Sequence, residues 1–177
     1  MNTSCEEIVA GSLLYHAVHG VCRVQKVVKE RRSEKISQYI IVPNDTPLNK
    51  VLFTVAGDSL EVSGFHPLVS LESAKSILEY FKAGEGRAHA SETFASEDAP
   101  TWALAKEFLN CCRNENAAKD QRRRQTLERS VRGLTRELAF VFKISLADVV
   151  AQVRKNLERT AKINPVMLNC LAQVVED

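Results

Sequence analysis

Residues 11–30, GSLLYHAVHGVCRVQKVVKE, place the tightest limit on what this chain can fold into. Leu13 and Tyr15 alternate ahead of a corner at Val18-His19-Gly20. Beyond it Val21, Arg23, Gln25 and Val27 alternate against Cys22, Val24, Lys26 and Val28. Apolar residues at a period of two define strands with one face inward. Gly20 supplies the residue that takes a positive φ, or lies close to another backbone, without a Cβ penalty. The stretch therefore predicts two β-strands around a tight corner, from which a small twisted sheet grows.

The following segments extend that sheet. Arg31-Arg32-Ser33-Glu34-Lys35 reads as a polar hairpin, and Ile36, Gln38, Tyr39, Ile40, Ile41 and Val42 form a third strand rich in β-formers. Pro43-Asn44-Asp45-Thr46-Pro47 is a turn, because proline presets φ and Asn and Asp bond their own backbone. VLFTV at 51–55 is a fourth strand, Gly57-Asp58 turns again, and Gly64-Phe65-His66-Pro67-Leu68 closes the set. Five short strands joined by turns predict a small open barrel or bent sheet of Tudor or SH3 type over residues 1–69.

The period then changes from two to 3.6. Ser70 caps a helix over 71–82 whose apolar positions are Leu71, Ala74, Ile77, Leu78 and Phe81. Residues 83–99 are small and polar and read as a linker, so 70–99 is a helix plus linker. Pro100 opens a helix to about 112, with Trp102, Ala105, Phe108, Leu109 and Cys112 on its apolar side. A longer helix covers 117–142 on Leu127, Val131, Leu134, Leu138, Val141 and Phe142. Ser145 caps 146–159 with Asp148 as a box-like partner, and Asn164-Pro165 opens a last helix to about 175. The expected class is α+β: a five-stranded β module, then an all-α domain over 100–177.

Composition narrows the function classes. The chain is 45% hydrophobic and 26% charged, with a mean hydropathy of −0.18, which is ordinary for a globular protein. No apolar run is long enough to span a bilayer, and Glu6 and Glu7 stand where a secretory leader is basic and then apolar. A cytoplasmic protein is expected. The five cysteines are Cys5, Cys22, Cys111, Cys112 and Cys170. They are irregularly spaced without a CxxC, which suits reduced, apolar side chains better than a zinc site.

Charge is unevenly placed. Residues 100–177 carry 14 Lys+Arg against 9 Asp+Glu, whereas residues 1–99 carry 10 against 13. Arg122, Arg129, Arg132, Arg136 and Lys143 recur at intervals of 7, 3, 4 and 7 on one face of the long helix, broadened by Arg123 and Arg124. Such a stripe suits phosphate contact, which carries no sequence information, or else a solvated face pairing with Glu128 or Glu137. His16 and His19 stand three apart at the first corner, where a turn-stabilising His19 is preferred to a metal or catalytic pair. The sequence holds no catalytic triad order, phosphate-cradling glycine loop or paired carboxylates in an apolar setting.

The order Tyr15…His19-Gly20-Val21, Tyr39-Ile40-Ile41, 51–55 and Gly64-Phe65-His66-Pro67-Leu68-Val69-Ser70, followed by a helix, resembles the CarD/CdnL family of bacterial transcription regulators. The β part is also similar to the polymerase-binding module of transcription-repair coupling factors. LERSVRGLTREL at 127–138 and SLADVVAQVRKNL at 145–157 resemble the last two helices of the CarD helical domain. The stretch between Trp102 and Glu137 is shorter than the family's.

The resemblance implies a regulator that needs no cofactor, metal or catalysis. Its β module docks on the β subunit of RNA polymerase, with Arg31, Arg32, Lys50 and Phe53 as candidate docking residues. Its helical domain meets promoter DNA at the upstream fork and stabilises the open complex. Trp102 stands where the family places a tryptophan that wedges into the minor groove. The DNA-facing set is Trp102, Arg122, Arg123, Arg124, Arg129, Arg132, Arg136 and Lys143. The expected molecule is a nucleoid-associated monomer with no membrane partner. An adaptor that binds polymerase without touching DNA, and an enzyme of another type, are the rival classes.

Overall fold

The computed structural model describes residues 7–30, 35–44, 51–60, 62–83, 100–113, 121–159 and 163–176. The chain divides into two compact units, Met1–Leu68 and Val69–Asp177.

The first unit is one antiparallel sheet of β1 (Leu13–His16), β2 (Gly20–Lys29), β3 (Ile36–Pro43), β4 (Phe53–Ala56) and β5 (Phe65–Pro67). The strand order is β4-β3-β2-β1-β5. The last strand therefore returns to pair with the first, with His16 opposite Phe65 and Leu14 opposite Pro67. The fourth strand starts two residues later than the sequence reading placed it. Leu14, Cys22, Val24, Tyr39, Ile41, Val55, Leu60 and Phe65 form the core of this unit.

Gly20 has φ +69°, and a Cβ there would meet nothing within 4 Å. Of the two uses open to it, the chain takes the positive φ. Gly57 serves the other: a Cβ at that position would overlap the carbonyl oxygen of Ile36, while the Gly57 N–H donates to the Ser37 carbonyl at 3.0 Å.

The alternation expected along 21–28 does not run unbroken. The β2–β3 register shifts between Val24 and Lys26, so Gln25 is the extra residue of a bulge. Ahead of the bulge Cys22 and Val24 are fully buried. Beyond it Gln25 and Lys26 are both exposed, and it is Val27 that packs on the core. One inserted residue exchanges the faces of a strand.

The second unit is helical: α1 (Leu71–Ala83), α2 (Pro100–Arg113), α3 (Gln121–Phe142), α4 (Leu146–Glu158) and α5 (Pro165–Glu176). All five contribute to one core, which includes Ile77, Phe81, Trp102, Phe108, Leu134, Leu138, Val153, Leu157 and Leu171. Helix α1 therefore belongs to the helical unit and is not set apart from it. The linker reading of 83–99 falls, beyond Ala83, outside the described residues. Among the described residues no helix is long and apolar enough to cross a membrane.

The helix ends follow local chemistry. Ser70 Oγ accepts from the Ser73 N–H at 3.1 Å at the start of α1. Ser145 Oγ accepts from the Asp148 N–H at 3.1 Å and caps α4. Asn164 Oδ1 accepts from the Val166 N–H at 3.0 Å and caps α5, and the Asn164 N–H donates to the Cys112 carbonyl at 3.0 Å, satisfying the end of α2. Helix α3 ends with Lys143 at φ 56°. The Lys143 N–H bonds the Phe140 carbonyl and the Ile144 N–H bonds the Ala139 carbonyl, each at 3.2 Å. That pair of bonds is a Schellman stop with lysine where glycine is commoner.

Inside this unit Glu137 is fully buried, as are Thr101 and Thr135. Its Oε1 accepts from the Val69 N–H at 3.1 Å, and its Oε2 accepts from the Thr101 hydroxyl at 2.8 Å. Val69 lies just ahead of α1 and Thr101 in the first turn of α2, so one carboxyl group ties α3 to the starts of two helices. Thr135 satisfies its own hydroxyl by donating to the Val131 carbonyl at 2.8 Å.

Gly57→Ala is expected to destabilise the β unit by at least about 2 kcal/mol, since the obstructing atom is backbone and the core has little room to move. Chemical denaturation of the variant beside the parent checks it. Glu137→Leu is expected to lower helical-unit stability by about 1–3 kcal/mol for the amide left without an acceptor. Glu137→Gln is expected to lose less than half as much, because one amide oxygen still accepts from Val69 and the amide nitrogen donates to Thr101. Thermal unfolding followed by Trp102 fluorescence reads this unit, since Trp102 is the chain's one tryptophan.

Candidate functional site

The structure offers two places where chemistry-bearing side chains gather, one in each unit.

In the β unit the first corner turns through 17–19 and returns at Gly20, which pairs with His16. His16 Nδ1 accepts from the Val18 N–H at 3.1 Å and the His19 N–H at 3.3 Å. The residue that stabilises the turn is thus His16, not His19 as the sequence suggested. A side-chain acceptor placed at the strand end does here what an Asn does in an Asx turn.

The His16 ring stacks on His19 at 4.6 Å between centroids. His19 meets Phe53 at 4.5 Å, Phe53 meets Phe65 at 5.5 Å, and Phe65 meets His16 at 4.8 Å. These four rings form a closed cycle. Phe53 begins one edge strand and Phe65 the other, so the cycle is where the two ends of the curled sheet meet.

Around the cycle the surface is apolar: Val18 is 72% exposed and Leu52 57%. Among the four proposed docking residues, Phe53 is half-buried within this cycle. Arg31, Arg32 and Lys50 lie outside the described residues. The grouping of His16, His19, Phe53 and Phe65 was not visible in the sequence, because it depends on β5 returning to β1.

The second place is the outward face of α3. Leu127, Val131, Leu134 and Leu138 are buried on its inner side. Arg129 and Arg136 are exposed and Arg132 is half-buried on the other, and Lys143 is exposed just past the helix end. Arg129 to Arg136 spans about 10 Å along the axis, close to the axial reach of about three phosphates of one DNA strand. Phe140, one turn beyond Arg136, is 37% exposed and adds an aromatic to the same side. Its position off the core period marks it in the sequence.

Arg124 sits apart from this face and pairs with Glu128 at 3.4 Å. Such an exposed pair contributes little to stability. The side chains of Arg122 and Arg123 lie outside the described residues. Glu137, considered in the sequence as a partner for the arginines, faces inward instead and bonds Val69 and Thr101.

Trp102 does not stand at a surface. It is 3% exposed, edge-on to Tyr80 at 5.6 Å, with the Lys106 ammonium 5.9 Å from its ring centroid. A ring so enclosed has no face to insert at a base step, and its role here is core packing. The sequence placed it correctly on the apolar side of its helix, and that placement conflicts with a wedge.

The cysteines behave as apolar filler. Cys22, Cys112 and Cys170 are buried. Burial, with Cys111 and Cys170 nearby, pushes the Cys112 thiol up to about 12. Burial and then Glu128 raise Cys170. A thiol kept protonated is a poor nucleophile. Among the described residues, no group of three His, Cys, Asp or Glu side chains could hold a metal ion.

No family model matches the sequence, and no curated protein matches it.

Trp102→Ala is expected to lower helical-unit stability by about 3–5 kcal/mol through lost packing. Any affinity for DNA, measured well below its unfolding midpoint, is expected to equal the parent's. Circular dichroism melting and a binding titration at low temperature check the two halves of that statement.

Proposed function

We propose that this chain is a bacterial transcription regulator. Its β unit, on this reading a Tudor-like module, docks on the β subunit of RNA polymerase. The outward face of α3 holds promoter DNA by its phosphates near the upstream fork, and the open complex is stabilised at initiation. The observation that carries this reading is the α3 face. Arg129, Arg132 and Arg136 stand opposite the buried stripe, and Lys143 follows at the helix end. The order of a five-stranded sheet followed by a helical unit supports it, as do the residue strings shared with the CarD/CdnL pattern.

The apolar rim of Val18 and Leu52 around Phe53 suits the β unit to protein contact rather than DNA contact. Guanidinium groups on a helix face suit phosphate oxygens, which fix position without reading bases. The DNA role rests on this face and no longer on Trp102.

The burial of Trp102 favours one alternative: an adaptor that binds polymerase through the β unit without contacting DNA. The same experiment separates the two. DNA binding by the full chain is measured across a salt series, for the parent and for Arg129→Ala combined with Arg136→Ala. The regulator reading expects affinity to fall steeply with salt, and the double variant to have a log–log slope shallower by about 2. Capture of RNA polymerase is expected to be the same for both proteins. Polymerase capture with no salt-dependent DNA binding supports the adaptor, and the absence of both removes the proposal.

A further inference from the structure

Three of the chain's four histidines, His16, His19 and His66, belong to the β unit, on β1, its following turn and β5. The fourth, His89, lies outside the described residues. His16 is the central one. Because its Nδ1 accepts two amide protons, that nitrogen carries none of its own. The ring's proton is on Nε2, on the side of the Ser63 carbonyl.

We propose that the first turn of the β unit is a proton-operated latch: a proton added at His16 Nδ1 removes the acceptor of the Val18 and His19 amides, sets an imidazolium face to face with His19, and releases the ring cycle that joins β4 to β5. The turn amides would then face an N–H instead of a lone pair. The stacking that carries His16 onto His19, and through His19 onto Phe53, would be weakened by the charge gained at His16.

The groups that act on His16 come from every neighbouring element. His19 faces it from the turn, His66 from β5, and the Ser63 carbonyl from the loop before β5; among the described residues no carboxylate acts on it. Phe53 and Phe65 complete the surroundings and are uncharged. Burial and then His19 hold the His16 pKa below its ordinary 6.5, against a smaller upward pull from the Ser63 bond. The sign follows. A histidine with a depressed folded value stabilises the fold fully above about pH 6.5, and that contribution is lost as pH falls toward the folded value. The latch is closed at neutral pH and opens on acidification. It does not depend on the docking reading, since it concerns the β unit's own closure.

The test uses the full chain and nuclear magnetic resonance. Hydrogen exchange at the Val18 and His19 amides and along β5, corrected for the intrinsic rate, is compared at about pH 7.5 and about pH 5.5. Protection in the parent is expected to fall severalfold over that interval, up to the limit of about tenfold that one histidine can supply. The helical unit serves as the internal reference. In His16→Asn the Oδ1 accepts the same two amides as an Asx turn and has no proton to gain, so its protection is expected to stay level. A parent with no pH dependence overturns the proposal, as does an Asn variant that loses protection together with the parent. Should the variant not fold, the parent's own His16 titration decides: a midpoint below about 6.5 supports the latch, and one at or above it overturns it.

Discussion

The buried carboxyl group of Glu137 sets the geometry on which the helical unit depends. A polar group taken wholly out of water must find partners or it destabilises the fold. Glu137 finds them in the Val69 amide, just before α1, and the Thr101 hydroxyl, at the start of α2. Both lie near helix N-termini, where backbone dipoles favour an acceptor. These bonds act together with the buried leucines to keep one side of α3 inward. With Glu137, Leu134 and Leu138 turned inward, the helical period leaves Arg129, Arg132 and Arg136 outward. The basic face is thus a consequence of which side of α3 the internal hydrogen bonds and the leucines turn inward.

The β unit solves a different problem. Its sheet is small, and among the described residues its core cluster holds eight buried side chains, so a flat arrangement would leave much of that core wet. The bulge at Gln25 and the close approach at Gly57 let the strands bend, and the ring cycle joins the two edges where they meet. Two of the four rings in that cycle are imidazoles, and their neutral form stacks as an aromatic hydrocarbon would while still offering an acceptor to the turn. A phenylalanine at His16 would stack equally well but leave two amide protons unanswered. The histidine satisfies both demands with one side chain, and that combination makes the closure responsive to protons.

What could be read in the sequence was local. Five strands and five helices were legible because period, caps and turn residues act within a few positions. Ser70, Ser145, Asn164 and Gly20 each performed the task their chemistry suggests. The failures share a physical cause, which is tertiary. The phase of β2 after Val24 depends on a bulge that no pattern of residues 21–28 announces. Glu137 reads as one more charged position on a charged helix until its two partners, 68 and 36 residues away, are brought to it. The turn-stabilising role expected of His19 falls to His16, since only the turn's geometry shows which ring nitrogen meets the amides. Trp102 was placed on the correct side of its helix, yet resemblance assigned it a surface role that the same apolar side denies.

With Trp102 in the core, the proposed DNA contact rests on the charged face of α3. A guanidinium face on phosphates binds duplexes of any sequence, with dissociation constants of about 10⁻⁴–10⁻⁶ M for such non-specific contact. Such binding alone would scatter the protein over the whole chromosome. On the proposed reading a docked β unit tethers the chain, and the same face would meet one segment of DNA at an effective concentration of about the millimolar scale. At that concentration even the weakest of those constants leaves the contact mostly formed. On that reading specificity for place would come from the protein partner and the lasting grip from the phosphates. A preference for open over closed promoter would require a contact made better in one state, because only such a contact shifts the equilibrium between two. The side chain on the α3 face that is suited to touch more than phosphate is Phe140, whose partial exposure beside Arg136 puts an aromatic edge at the same surface as the charges.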